Sequence, residues 1–190
     1  MDYLAATSVA ELTSADDLAA TVAELCDKEA IRNLVALYSI ARDDDDIDRL
    51  TPFFAEDGIF EIGGSPVQGH ADLRAFYLAN MHKYRTSNHV THTHVIELAG
   101  DSATGVVTGH AELAYAGTLM VAGYRYYDDY VRQDRRWMFA HRRLRFMYAV
   151  PADQLATSFV DHLRMRWPDE EPASADIPES LDTFPIAVDS

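Results

Sequence analysis

HVTHTHVIELAGDSATGVVTGHAELAYAGTL, residues 89–119, reads as two long strands folded back on each other. Thr, Val and Ile dominate it, and Gly100-Asp101 supplies the tight turn between His89–Leu98 and Ala103–Leu119. Two more strands fit Ala122–Gln133 and Trp137–Ala149, joined at Asp134-Arg135-Arg136. The result is a long antiparallel meander in the second half of the chain.

The first half has a helical period. Ser14 can cap a helix whose first turn holds Asp16 and Asp17. Leu18, Val22 and Leu25, then Ile31, Leu34, Tyr38 and Ala41, recur at three- and four-residue steps, which predicts an amphipathic helix broken near Asp27. Asp45 or Asp46 can cap a short second helix carrying Leu50, Phe53 and Phe54. A strand over Gly58–Ile62, a turn at Gly63-Gly64-Ser65-Pro66 and a helix from His70 to Tyr84 follow. Helices in front and a meander behind define an α+β class, in which a curved, mostly antiparallel sheet folds against the N-terminal helices and leaves an apolar pocket.

Residues 1–13 read as an arm, 14–150 as the domain, and 151–190 as a C-terminal helix and acidic tail. The helix after Pro151 would place Ala156, Phe159, Val160 and Leu163 on one face, with the tail disordered or loosely draped. At 190 residues and 48% hydrophobic, the chain can bury a core as one domain. Its net charge of −15 argues against nucleic-acid binding, which depends on basic patches. Seven acidic residues with no Lys or Arg lie between Pro168 and Ser190, so the folded body is less acidic than the total suggests. The single cysteine, Cys26, has no partner for an internal disulfide and is expected to be buried and inert. Without a basic, apolar signal peptide or a run of about 18 apolar residues, a cytoplasmic protein off the membrane is expected.

The residues that could do chemistry cluster where these elements meet. Asp43 lies nearest the apolar stripe of the first helix, whereas Asp44, Asp45 and Asp48 read as a solvated turn. A carboxylate beside His89 would fix the imidazole tautomer and stabilise the imidazolium that forms when the ring takes a proton. Tyr38 can share a cavity with Asp43 only if the helix ends or bends between them, because residues five apart lie about 140° apart. Strand alternation puts His89, Thr91 and Thr93 on one face and His92 and His94 on the other. His110 and Glu112 share a face of the next strand, and His110 is a candidate second acid or base if that face is concave. The alternative is a metal site built from His92, His94, Glu97 and His110, although alternation turns Glu97 away from the first two. Phe54, Phe60, Phe76, Tyr115 and Tyr126 could wall the pocket or simply pack the core.

Several segments together resemble the SnoaL-like branch of the nuclear-transport-factor-2-like superfamily. They are Glu29-Ala-Ile-Arg-Asn-Leu-Val-Ala-Leu-Tyr38, the Asp43 turn, Leu50-Thr-Pro-Phe-Phe-Ala-Glu-Asp-Gly58, Gly69-His-Ala-Asp-Leu-Arg-Ala-Phe76, His89 leading to Val95-Ile-Glu-Leu, and the Arg136-Trp137 strand. The resemblance spans roughly residues 25–150 and implies a cone-shaped α+β barrel around an apolar pocket. Its members include scytalone dehydratase, bile-acid 7α-dehydratase, hexachlorocyclohexane dehydrochlorinase, ketosteroid isomerases and polyketide cyclases.

The resemblance also assigns roles. It makes Asp43 and His89 a proton-abstracting dyad that needs no cofactor, Tyr38 its phenol partner, His110 a second histidine and Arg143 a leaving-group contact. Tyr38 stands where the dehydrochlorinase has lysine, so loss of water is implied rather than loss of halide. A hydrophobic cyclic substrate and a homo-oligomer (dimer or trimer), with His92 and His94 in a sheet-to-sheet interface, are implied as well. The fold equally hosts non-catalytic binding and assembly modules.

Overall fold

The Ser14 hydroxyl accepts a hydrogen bond from the Asp17 amide at 3.1 Å and starts helix α1, Ala15–Asp43, in a computed structural model that describes residues 7–168 and 170–184. The first six residues of the expected arm, Asp169 and the last six of the tail lie outside the described residues. After α1 come α2 (Ile47–Leu50), β1 (Phe54–Ile62), β2 (Ser65–Gln68) and α3 (His70–Met81). Four long strands follow: β3 (Tyr84–Ala99), β4 (Ser102–Tyr115), β5 (Thr118–Gln133) and β6 (Arg136–Pro151). Asp46, not Asp45, caps α2 through the Arg49 amide at 3.0 Å, and Phe54 opens β1 rather than ending a helix.

The six strands form one sheet in the order β2-β1-β6-β5-β4-β3. Only β1 and β6 run parallel; the other neighbours are antiparallel. This is the expected α+β fold, with the sheet curved around α1. Among the described residues no helix is long and apolar enough to cross a membrane.

α1 does not break near Asp27. That carboxylate instead accepts from the Trp137 indole at 2.8 Å and from Arg132 at 2.8 Å, which pins the middle of the helix to the β5–β6 hairpin. At about 1.5 Å per residue the helix is roughly 43 Å long, and the sheet covers only its second half. Ile31, Leu34, Val35, Tyr38 and Ala41 are buried there, while Leu18, Val22 and Leu25 are about half exposed. Cys26 belongs to the uncovered half and is exposed, contrary to expectation.

Bulges decide which side chains enter the cone. Thr91 pairs with Gly109 and His94 with Val107, so His92 and Thr93 together oppose Thr108. The extra residue reverses the alternation of β3. His94 therefore turns inward, where its Nε2 lies 3.0 Å from the Tyr130 hydroxyl, and does not share the outer face with His92 as alternation predicts. A second bulge lies at Ala140, since Asp129 pairs with His141 and Tyr130 with Phe139. It turns Arg142 inward and Arg143 outward. Gly109 makes room for the Tyr124 ring to lie across β4: a Cβ there would come within 2.7 Å of the Val90 carbonyl and 2.8 Å of that ring.

Arg142 anchors the interior. It is fully buried, with Nε 3.0 Å from Asp128 Oδ1 and Nη2 3.0 Å from Oδ2. Its guanidinium carbon lies 4.3 Å from the Tyr38 ring centroid, 3.8 Å from Tyr126 and 4.2 Å from Phe139. Burial works against its charge, but Asp128 and the phenols of Tyr126, Tyr38 and Tyr130 outweigh that and hold its pKa above the ordinary value. The Tyr130 hydroxyl donates to Asp128 at 2.8 Å and so accepts from His94, which fixes His94 as the neutral Nε2–H tautomer.

Burial, then the charges of Arg142 and Arg32, push the His94 pKa down to about 4. The unfolded chain takes up this proton near 6.5. Between those values the unfolded state binds more protons, so stability falls as pH falls. The full contribution is present above about pH 6.5 and amounts to roughly 3 kcal/mol between the two limits. Urea midpoints measured across this window should fall steeply for the wild type and less for His94→Asn, which keeps a hydrogen-bonding amide without a titrating ring. Equal pH slopes for the two proteins would show that His94 contributes nothing.

After Pro151 the expected amphipathic helix is reduced to the single turn α4, Leu155–Ser158, with Phe159 and Val160 exposed beyond it. The following segment is a strap, not a loose tail. Ala149 donates to Arg164 O at 2.8 Å, Arg166 donates to Ala149 O at 2.7 Å, and Met165 and Ala173 exchange both amide bonds. The Phe146 amide donates to Asp176 at 2.8 Å, and Ile177 donates to Phe146 O at 3.1 Å. These bonds fill the edge of β6 beyond Leu144, where pairing with β1 stops.

Candidate active site

Asp43 is the last residue of α1, so its carboxylate leaves the helix axis and reaches β3. Oδ2 accepts from the His89 amide at 2.7 Å, and Oδ1 lies 2.5 Å from His89 Nδ1 and 2.9 Å from the Ser87 hydroxyl. Burial works to raise this carboxyl, but the His89 ring and amide hydrogen bonds, the His89 charge and the Ser87 hydroxyl outweigh it. They hold Asp43 below the ordinary carboxylate range. An ionised Asp43 requires Nδ1 to carry the proton and donate it. In the neutral form of the ring the opposite nitrogen, Nε2, on the side away from Asp43, is therefore the one that can accept a proton.

His89 forms part of the wall of a cavity of about 80 Å³. Tyr38, Tyr77 and Tyr126 supply phenols to the cavity, Phe60 and Phe76 form an apolar wall, and Trp167 reaches in from the strap. The helix does not have to bend for Tyr38 to join the site. Tyr38 points into the cone from α1, Asp43 points to β3, and the His89 ring connects them by reaching from the carboxylate to the cavity.

The Tyr38 and Tyr77 hydroxyls are 2.9 Å apart. Whichever one donates, the other keeps a proton for a group in the cavity. Burial, and then Tyr38, raise the Tyr77 pKa well above the ordinary phenol value, so this phenol stays a neutral hydrogen-bond donor.

The other candidates divide. Phe60, Phe76 and Tyr126 line the cavity. Phe54 is buried behind it, with its ring 6.2 Å from those of Tyr38 and Tyr77. Tyr115 packs behind two lining residues, 5.7 Å from the Tyr84 ring and 6.0 Å from Trp167.

Two residues are misplaced by the sequence reading. His110 lies on the outer face of β4, because its neighbours Ala111 and Leu113 alternate into the cavity. There its Nδ1 is 2.7 Å from His92 Nε2 and its Nε2 is 3.2 Å from Glu112, so it cannot serve as a second acid or base inside the cone. Arg143 also faces outward and pairs with Asp129 at 2.9 Å; the bulge at Ala140 presents Arg142 instead. The rival metal set disperses for the same reason, since His92 and His110 stack outside while His94 points in. Among the described residues no group of three His, Cys, Asp or Glu is arranged to hold a metal ion.

Sequence reasoning missed Tyr77, Tyr124, Arg42 and Trp167 as cavity residues. Tyr77 was visible on the apolar side of α3. The signal for Trp167 was a large aromatic isolated in a charged, proline-bearing tail.

The sequence profile of the SnoaL-like domain matches residues 23–143. No curated protein is similar enough in sequence to match. Among solved structures, a protein of unknown function from Mycobacterium tuberculosis, Rv3472, is 28% identical, with a TM-score of 0.63 over 72% of this chain and 79% of that one. A protein from Novosphingobium aromaticivorans named as a candidate scytalone dehydratase is 20% identical, with a TM-score of 0.65 over 69% of this chain and 91% of that one. A type 2 hexachlorocyclohexane dehydrochlorinase, LinA, is 19% identical, with a TM-score of 0.65 over 69% of this chain and 92% of that one. At these identities the last two likenesses speak for the fold. With the profile match covering more than half of its length, the chain belongs to the SnoaL-like family.

Proposed function

We propose that the protein is a lyase or isomerase that needs no cofactor and acts on a hydrophobic cyclic ketone. The observation that carries this reading is the 2.5 Å contact between Asp43 and His89, with the ring in the wall of the cavity that Tyr38 also lines. His89 Nε2 removes a proton from the carbon alpha to the carbonyl. The electron pair of that C–H bond moves onto the carbonyl oxygen, and the Tyr38–Tyr77 pair donates a hydrogen bond to the enolate. Collapse of the enolate expels a β-hydroxyl, which leaves as water with the proton returned by the imidazolium. Where no leaving group is present, the proton returns to another carbon and the double bond moves.

The dyad reading and the non-catalytic binding reading separate on one measurement. A panel of cyclic ketones led by 1-tetralone, incubated in D2O, should gain deuterium at the alpha carbon faster with wild-type protein than in buffer. Asp43→Asn should return the rate to that of buffer. Ligands that bind but show no catalysed exchange with wild-type protein would leave a binding protein.

A further inference from the structure

Arg42 is 7% exposed and borders the cavity, yet its guanidinium makes no hydrogen bond among the described residues. Its Nη1 is buried without a hydrogen-bond partner and faces Asp45 Oδ1 at 3.6 Å. The guanidinium carbon lies over the Tyr84 ring, 5.6 Å from its centroid. Arginine carries five N–H donors in a rigid fork, and leaving donors buried and unfilled, as Nη1 is here, costs free energy that a hydrogen-bonded charge does not.

Its place in the last turn of α1 suits any cation, because that end of a helix carries partial negative charge. That attraction fills no donor. Asp45 does not fill one either, since its side chain is 58% exposed and stands beyond hydrogen-bond distance. Asp43, the next residue, is turned to β3 with both oxygens occupied by the Ser87 hydroxyl and the His89 ring and amide.

We infer that the ligand of this cavity is an anion, a ring system bearing a carboxylate that Arg42 receives while the rings lie among Phe60, Phe76 and Tyr126. A planar carboxylate matches the guanidinium fork in a way a carbonyl or hydroxyl does not. Such an anchor fixes the ligand at one end of the cavity and sets which ring carbon lies beside His89. The inference rests on the proposed function only in taking the cavity as the site where a hydrophobic molecule binds.

The test compares 2-naphthoate with its uncharged analogue 2-naphthamide by titration calorimetry at about pH 7.5, where the carboxylate is ionised. The wild type should bind naphthoate about 10- to 100-fold more tightly than naphthamide, the range expected of hydrogen bonds to a charged group. Arg42→Gln should bring the two affinities within about threefold by weakening naphthoate alone. Arg42→Lys, which keeps the charge but not the fork, should fall between. Equal affinity for both ligands in the wild type overturns the inference without recourse to a variant, as does a preference that survives in Arg42→Gln. If neither ligand binds, the cavity reading itself fails and the inference fails with it.

Discussion

Asp128→Ala should destabilise the protein by about 3–5 kcal/mol, the cost of stranding one member of a buried ion pair. The Arg142 guanidinium would keep its charge inside the cone with both of its Asp128 hydrogen bonds gone. The rings of Tyr38, Tyr126 and Phe139 around it offer only their faces. Tyr130 would lose its acceptor as well, which releases His94 from its fixed tautomer. At about 2–4 °C per kcal/mol for a chain of this size, the melting temperature should drop by roughly 6–20 °C. Removing both charges is a different experiment. Asp128→Leu combined with Arg142→Met should recover most of the loss, because a buried pair exchanged for apolar groups of similar volume is often close to neutral. A single variant losing less than about 1 kcal/mol in urea denaturation would mean that Arg142 finds another partner or water.

His89→Ala should lower the catalysed exchange rate by about 10²–10⁴-fold, the usual worth of a positioned general base. That corresponds to roughly 3–5 kcal/mol of barrier. The fold should tolerate the change, since the backbone amide of residue 89 still donates to Asp43 Oδ2. Asp43→Asn should approach the same loss by another route. If the oxygen of the substituted carboxamide accepts from the residue 89 amide, its NH2 must face Nδ1. The imidazole then accepts at Nδ1, carries its proton on Nε2 and presents an acid where a base is needed. A kinetic comparison of the two variants by deuterium incorporation, with circular dichroism to check folding, decides the matter. Unchanged exchange in His89→Ala would remove His89 from the chemistry altogether.

Local patterns carried most of the fold. The Ser14 cap, the buried stripe from Ile31 to Ala41 and the turns at Gly100-Asp101 and Asp134-Arg135 are interactions over a few residues, so the sequence displays them. What failed was parity. His92-Thr93 and Ala140 insert one residue each into a ladder, and the side chains beyond change face, in β6 as far as Met147, where a further shift restores the first alternation. In the His- and Thr-rich stretch of β3 no apolar alternation reveals the slip, and Arg142-Arg143 offers two identical side chains for one inward place. The apparent break near Asp27 failed for another reason: an acidic residue amid the apolar stripe holds a tertiary contact that local period cannot show. The strap from Asp161 onward was illegible because side-chain-to-carbonyl bonds, such as those from Arg164 to Met147 and Ile177, order it without any periodic signal.

That strap carries two duties on one segment. It brings Trp167 to the cavity, and it occupies the backbone groups of β6 that would otherwise form an open sheet edge, the kind of surface on which chains stack into aggregates. Substitutions that loosen it to admit a larger ligand would therefore also uncover a template for strand addition. Ligand range and colloidal behaviour are coupled in this protein, and evolution or engineering can widen the cavity only as far as that edge stays covered.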